Sequence, residues 1–357
     1  MTTLSSDIMN YKISLITPCY NLNKIESNKQ NLFYESLESV RKQTIGYENI
    51  EHILINNGST DGTEVVLKEL AQKYSNIKLL SIDENTGGPS IPRNMGITES
   101  TSKYIMFLDA DDIFEENACE VLYNEIENND VDMVNSNYYS FDGKETFKHV
   151  SRFKGCNVIK PKSGDSMNFM TFIWTAIYKR DFLVKNNITF PNVHAEDISF
   201  LTDCIISTKK DMIVLNDFYS YLYISDNNSS LSHSFSKKQI IEYLDIYQKC
   251  INKIKNTNQD PLYLSEFYNF TVIVAIGSLI RSNETKTNKY ELFNLIKKYL
   301  ENNKDIPFEL SFYWNFMIYL IEHEQKKLFF STSNFIQSVF EQNWFRKLFR
   351  NKNYIKK

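Results

Sequence analysis

Four short apolar runs recur over about the first 110 residues: Ile13–Pro18, Ile50–Ile55, Ile77–Ile82 and Tyr104–Leu108. Each is of strand length. Helical stripes lie between them. Leu32, Phe33, Leu37 and Val40 form one, ending near Gln43; Val65, Val66, Leu70 and Tyr74 form an inward stripe on the next. Alternating strand and helix predicts a parallel sheet with helices on both faces. Parallel strands place the loops after their carboxyl ends along one edge, where open sheets bind ligands.

The loops at that edge carry chemistry. The fourth run enters three carboxylates, Asp109, Asp111 and Asp112. Asp109 and Asp111 stand two apart, so one turn can aim both at one point. Hard oxygen ligands suit Mn²⁺ or Mg²⁺, which takes substrate phosphates as further ligands. A solvated acidic turn would have the same composition. After the first run, Tyr20 can stack on a base, with Thr17 and the Pro18 backbone at its edge. After the second, Asn56 or Asn57 can bond a base amide. The breaker-rich loop Glu84–Asn94 carries Arg93, a fork for phosphate or base. Taken singly, Tyr20 is equally a packing residue and Arg93 a surface charge.

Farther on, Glu115–Glu127 reads as helix, Val131–Phe141 as strand, and Phe172–Tyr178 as another apolar strand. Glu196 and Asp197 open a helix whose apolar face is Ile198, Phe200, Leu201, Ile205 and Ile206. Carboxylates there also suit the helix dipole. Tyr219–Ile224 reads as the last strand. Residues 225–234 are polar and have the composition of a lid. His233, within them, is either a metal or phosphate ligand or an ordinary loop histidine. Strand patterns stop near Lys237, so the expected division is 1–235 for the α/β domain and 236–357 for a helical domain.

Composition narrows the classes. A net charge of −4 gives no field for nucleic acid. Five cysteines, widely spaced and without a CxxC pair, suggest neither a disulfide framework nor zinc, and fit a reducing cytoplasm. Met1–Lys12 lacks the pattern of a signal peptide. The apolar stretch Phe267–Ile280 reads as too short to span a bilayer. Residues 342–357 mix Trp344, Phe345, Leu348 and Phe349 with Arg346, Lys347, Arg350 and Lys352. Such a segment can lie on an anionic membrane surface, or pack as a last helix with a basic tail.

Three motifs in order, Ile16-Thr17-Pro18-Cys19-Tyr20-Asn21, Asn57-Gly58-Ser59-Thr60-Asp61-Gly62-Thr63 and Leu108-Asp109-Ala110-Asp111-Asp112, resemble the inverting GT-A glycosyltransferases of family 2. Gly87–Asn94 and Ala195-Glu196-Asp197 are similar to its bacterial wall-teichoic-acid branch. The resemblance covers roughly residues 12–225. It implies a GT-A (Rossmann-like) nucleotide-sugar-binding domain, a nucleotide-sugar donor and a divalent metal, Mn²⁺ or Mg²⁺. It further implies Tyr20 on uracil, Arg93 at the nucleotide, Asp111 on the metal, Asp109 nearer the ribose, Asp197 as base and Glu196 orienting the acceptor. The implied acceptor is a glycan, a teichoic-acid-like polymer or a lipid-linked chain at the inner membrane face. The family's usual Asp-Asp-Gly-Ser is here Asn56-Asn57-Gly58-Ser59. An asparagine oxygen still accepts from uracil N3–H, without the strengthening charge.

Other classes fit less well. No GxGxxG turn follows the first strand, against a nicotinamide enzyme. No glycine-rich basic loop suggests a nucleotidyltransferase. A non-catalytic nucleotide-sugar-binding protein would be expected to lose the metal or base carboxylates, and both are intact. The helical region has three open roles: binding acceptor, pairing with another copy, or touching membrane.

Overall fold

The computed structural model describes residues 11–22, 29–149, 155–168, 172–225, 235–257, 260–341 and 354–356. His233, the rest of the expected lid from 226 to 234, and 342–353 of the basic C-terminal segment lie outside the described residues.

In chain order the elements are β1 (Ile13–Cys19), α1 (Lys29–Arg41), β2 (Ile50–Asn57), α2 (Thr63–Lys73), β3 (Ile77–Ile82), α3 (Ser90–Glu99), β4 (Tyr104–Phe107), β5 (Ile113–Phe114) and α4 (Ala118–Asn128). There follow β6 (Met133–Phe141), β7 (Thr146–His149), β8 (Cys156–Ile159), β9 (Ala176–Lys179), α5 (Arg180–Lys185), α6 (Glu196–Ser207) and β10 (Met212–Ile224). Helices α7 (Lys237–Lys255), α8 (Pro261–Arg281), α9 (Lys286–Asn302), α10 (Phe312–Glu322) and α11 (Lys326–Glu341) precede a final strand, β11 (Tyr354–Lys356).

The parallel core is the one that the alternation predicts: β3, β2, β1 and β4 pair side by side, all parallel. Beyond β4 the sheet is mixed. Strand β9 lies antiparallel between β4 and β6, and the main path is β11-β7-β6-β9-β4-β1-β2-β3, with β10 pairing off it to β6, β5 and β8. The chain enters β9 from a 3-10 turn at Ile173–Thr175 and not through a crossover helix, so nothing returns it parallel. That turn also replaces the first half of the strand expected at 172–178. Helix α3 begins at Ser90, inside the expected loop, because Pro92 in the first turn gives up an N–H that would lack a helical partner anyway. On α2 the buried face is Thr63, Leu67 and Leu70, while Val65 is exposed. The inward stripe is therefore displaced from the expected one.

The helical C-terminal region is confirmed from Lys237, with one correction. Tyr354–Lys356 returns as a strand, antiparallel to β7 with Ile355 opposite Lys148. Helix α8 also differs from expectation. It runs 21 residues and is long and apolar enough to cross a membrane. Its Tyr263, Phe267, Tyr268, Val272, Ile276 and Leu279 are nonetheless buried, as in the core helix of a bundle. One continuous apolar core runs from Ile13 to Phe329, joining sheet and helices; a smaller one lies around Phe33, Leu37, Leu54 and Leu67.

Polar groups in the buried strands find partners across the sheet. The Ser14 hydroxyl donates to Glu51, which also accepts from Thr101 N at 2.8 Å. The Thr17 hydroxyl lies 3.2 Å from His52 Nε2. Gly96 lets α3 press onto β1: a Cβ there would stand 2.5 Å from Ile16 Cγ2.

His52 is 1% exposed, and burial lowers its pKa to about 3. The folded protein keeps the ring neutral, whereas the unfolded chain takes up a proton below about 6.5. Its contribution is therefore full above that pH and is lost as pH falls toward 3. In urea titrations, the stability difference between wild type and His52→Gln is expected to shrink by about 1.4 kcal/mol per pH unit below 6.5. A difference that stays constant with pH would refute it.

Candidate active site

The loops at the carboxyl edge are stitched together by side chains. After β1, Asn21 adopts a left-handed conformation, φ 50°. Its Oδ1 accepts from Thr60 N at 2.9 Å, and its own N–H donates to Ser59 Oγ at 3.1 Å. Leu22 N donates to Thr63 Oγ1 at 2.8 Å. The loop after β1 thus sits on the loop after β2. Tyr20 is left 43% exposed, on a backbone fixed at both sides. Thr17, by contrast, turns its hydroxyl inward to His52, leaving the neighbouring Pro18 partly exposed.

Asn56 and Asn57 are both buried. Asn56 Oδ1 accepts from Ser59 N at 3.2 Å, closing the turn. Asn57 works across loops: Oδ1 accepts from Thr86 N (3.2 Å) and Thr86 Oγ1 (3.0 Å), while Nδ2 donates to Gly88 O at 3.2 Å. Between them and the next loop, Gly58 at φ 65° approaches backbone so closely that a Cβ would meet Asn85 N at 2.3 Å. Both asparagines, expected to face a base, are thus engaged within the protein: Asn56 closes its own turn, and Asn57 holds the Thr86–Gly88 loop.

Arg93 is buried at 4% exposure, in the first turns of α3. Nη2 donates to Asp109 Oδ1 at 2.7 Å and Nη1 to Glu196 Oε1 at 2.8 Å. Phe190 lies beneath it, ring centre 5.5 Å from the guanidinium, and stacks on Phe200 at 4.1 Å. Burial alone would lower the arginine pKa; the charges of Asp109 and Glu196 hold it above its ordinary value instead. The fork expected to receive a ligand therefore closes on two carboxylates and joins the ends of β4 and α6.

The three aspartates divide. Asp109 is partly exposed and Asp111 exposed, whereas Asp112 is buried. Tyr221 Oη donates to Asp112 Oδ2 at 2.8 Å, and Ile224 N to Oδ1 at 2.7 Å. Asp109 N in turn donates to the same tyrosine oxygen at 3.3 Å. Burial, then the charges of Asp111 and Asp109, hold the Asp112 carboxyl well above the usual range. Asp112 is thus a strap from the acidic turn to the end of β10. Among the described residues no three His, Cys, Asp or Glu side chains form a metal-binding group. The donors at hand are one or two hard carboxylates, which fits an ion whose remaining ligands are phosphate and water.

Glu196 and Asp197 form the first turn of α6. Asp197 keeps some exposure, and its Oδ1 accepts from Ile198 N at 2.8 Å. Burial, then the adjacent Glu196 charge, push its carboxyl up to about 7. Asn94 fixes the approach to this turn, donating to Phe190 O and accepting from Phe190 N, each at 2.8 Å.

Residues 14–189 match the family described as "Glycosyl transferase family 2". The poly(ribitol-phosphate) β-N-acetylglucosaminyltransferase TarP of Staphylococcus aureus is 30% identical over 68% of this chain and 74% of its own length. This chain is a family 2 glycosyltransferase. It is also 30% identical to the minor teichoic acid biosynthesis protein GgaB of Bacillus subtilis, over 71% of the chain but only 28% of that longer protein. Among solved structures, S. aureus TarS 1–349 in complex with UDP-GlcNAc superposes with a TM-score of 0.72 at 18% identity, covering 92% of each chain. The fold of this glycosyltransferase is therefore GT-A.

The structure brings Arg93, Asp109 and Glu196 into contact and sets Asp197 beside them. Tyr20, Asn56 and Asn57 sit on the neighbouring loops. Phe190, Tyr221 and Asp112 as a strap were not legible in sequence, nor was Glu242, whose Oε2 lies 2.5 Å from His194 Nδ1. Each is an ordinary core or loop residue by composition, without a motif to mark it.

The engagement of Asn57 makes a test. Asn57→Asp removes the Nδ2 donor and sets a carboxylate against Gly88 O. The variant of this glycosyltransferase is expected to lose about 1–3 kcal/mol in urea unfolding. Unchanged stability would show that Asn57 does not hold the loop.

Proposed function

We propose that this glycosyltransferase moves a sugar from a UDP-sugar, with inversion, onto a hydroxyl of a teichoic-acid-type or related cell-surface glycan acceptor. The observation that carries it is the Arg93 bridge, which joins the acidic turn after β4 to the Glu196-Asp197 turn. A donor-side carboxylate and a candidate base are thereby held in one frame. The names of TarP, GgaB and the UDP-GlcNAc complex of TarS support the choice of donor and acceptor class.

Tyr20 stacks the base, and the Asn56-Asn57 loop edges it. Asp111 would hold Mn²⁺ or Mg²⁺, which when bound supplies positive charge at the diphosphate, with Asp109 nearer the ribose. Asp197 takes the proton of the attacking hydroxyl. A base with a pKa near 7 is half ionised at neutral pH, close to the optimum for proton transfer. Glu196, fixed by Arg93, faces the acceptor. Attack from the side opposite the diphosphate inverts the anomeric carbon. The proposed division into a catalytic domain, 1–235, and a helical domain, 236–357, goes with this function. A cytoplasmic placement facing the inner membrane belongs to the same proposal.

Hydrolysis and transfer from UDP-, GDP- and CMP-sugars with Mn²⁺ test the donor. Turnover with UDP-sugars is expected, and tighter binding of GDP than UDP would overturn that choice. Asp111→Asn and EDTA are each expected to lower turnover by orders of magnitude while leaving thermal unfolding unchanged. Full activity in EDTA would remove the metal.

The base predicts a pH profile. Activity should rise through about pH 7 as Asp197 ionises. In Glu196→Gln that limb should move to lower pH, because the neighbouring charge that raises Asp197 is gone. Asp197→Asn is expected to lose about 10²–10⁴-fold in kcat. UDP affinity should not change. Loss of UDP binding with turnover retained would make Asp197 a helix-capping residue only.

A further inference from the structure

We propose that Glu242, on the first helix of the C-terminal region, is a positioning residue for the base: through His194 it holds the turn that presents Glu196 and Asp197. The inference rests on the function proposed above and adds a residue from a part of the chain with no catalytic motif.

The turn is strained. Ala195 precedes α6 with φ 62° and ψ 34°, in the left-handed region. For a residue with a Cβ this conformation is unfavourable, and it persists only where the surroundings impose it. Alanine has no side chain with which to cap the helix. The restraint must come from outside the turn, and three side chains supply it. Asn94 grips Phe190, and Arg93 grips Glu196; both belong to α3. The third is Glu242. Its Oε2 lies 2.5 Å from His194 Nδ1 and also accepts from His194 N at 3.3 Å. One carboxylate oxygen thus fixes both the ring and the backbone of the residue immediately before Ala195.

Glu242 is itself well placed to act as a fixed point. Helix α7 opens with a capping box, in which Ser236 N donates to Gln239 Oε1 at 2.9 Å and Gln239 N to Ser236 Oγ at 3.3 Å. Helix α7 also packs on α6 itself. Lys238, one turn back, stands 3.7 Å from the other Glu242 oxygen. The next residue, Tyr243, has its hydroxyl pKa raised by burial and then by the charges of Asp197 and Glu196, so this face of α7 lies near the base. The helical region therefore completes the catalytic turn, which α3 holds from the other side.

The test uses the full chain and four variants: Glu242→Ala, Glu242→Gln, His194→Ala and the double alanine. Amide hydrogen exchange across 193–198, UDP binding by calorimetry and steady-state transfer are measured on each. Glu242→Ala is expected to exchange faster at 193–198 and to lose about 10- to 100-fold in kcat, as displaced catalytic groups do. UDP affinity should be unchanged. Glu242→Gln retains an acceptor oxygen and should recover most of the rate. The double variant should be no worse than either single one, because all remove one contact. Exchange at 193–198 equal to wild type in both single alanine variants overturns the proposal, as does additive loss in the double. Should Glu242→Ala fail to fold, His194→Ala removes the same contact from the other side and decides it. If wild type transfers no sugar, the function proposed above fails, and the exchange comparison still decides this one.

Discussion

A buried guanidinium between two carboxylates is the contact on which the rest of the site depends. Arg93 cannot leave its pocket without releasing both Asp109 and Glu196, and losing both carboxylates would strand its buried charge. Breaking such a buried pair typically costs about 3–5 kcal/mol, because the remaining charge is uncompensated. Lysine would not serve as well. Two acceptors on different elements call for a planar fork with donors on separate nitrogens, and the flat cation also rests on the Phe190 ring. Strand β4, helix α3 and helix α6 are locked by one side chain.

The approach of α3 makes this possible. Gly96, one turn beyond Arg93, removes the Cβ that would strike Ile16, so the helix lies directly on β1. The same helix supplies Asn94 to the segment before α6. Two consecutive residues therefore hold both ends of the turn that carries Asp197. At the carboxyl edge of β1, β2 and β4 the logic is similar: Asn21, Asn57 and Asp112 each spend a polar side chain tying one segment to another. Tyr20 and Asp111 remain exposed on a braced edge. Rigid surroundings with exposed functional groups are what the proposed preorganised site requires.

Much of this was visible in the chain. Strands β1 to β4 and helices α1 and α2 follow from periodicity alone, since buried parallel strands are continuous apolar runs. Boundaries and phase were less visible. Val65 and Leu67 are equally apolar, and only the helix's docking chose between them. The antiparallel β9 was misjudged in extent, because a 3-10 turn and a strand of the same apolar residues look alike. The strand at Tyr354–Lys356 forms only because β7 offers an edge to it, a condition that no local pattern records.

The sequence by itself determined the class of the protein. Motif order, the carboxylates Asp109, Asp111 and Asp197, and the alternation of strand and helix all lie along the chain, where spacing and residue type can be read directly. Tertiary structure alone decided how those groups are used. It closed Arg93 on Asp109 and Glu196, turned Asn57 onto the Thr86 loop, buried Asp112 under Tyr221, and brought Glu242 to His194. These partners are separated by 16 to 109 positions in the chain. Hydrogen bonds and burial act over a few ångströms, so which residues meet is known only once the core has packed.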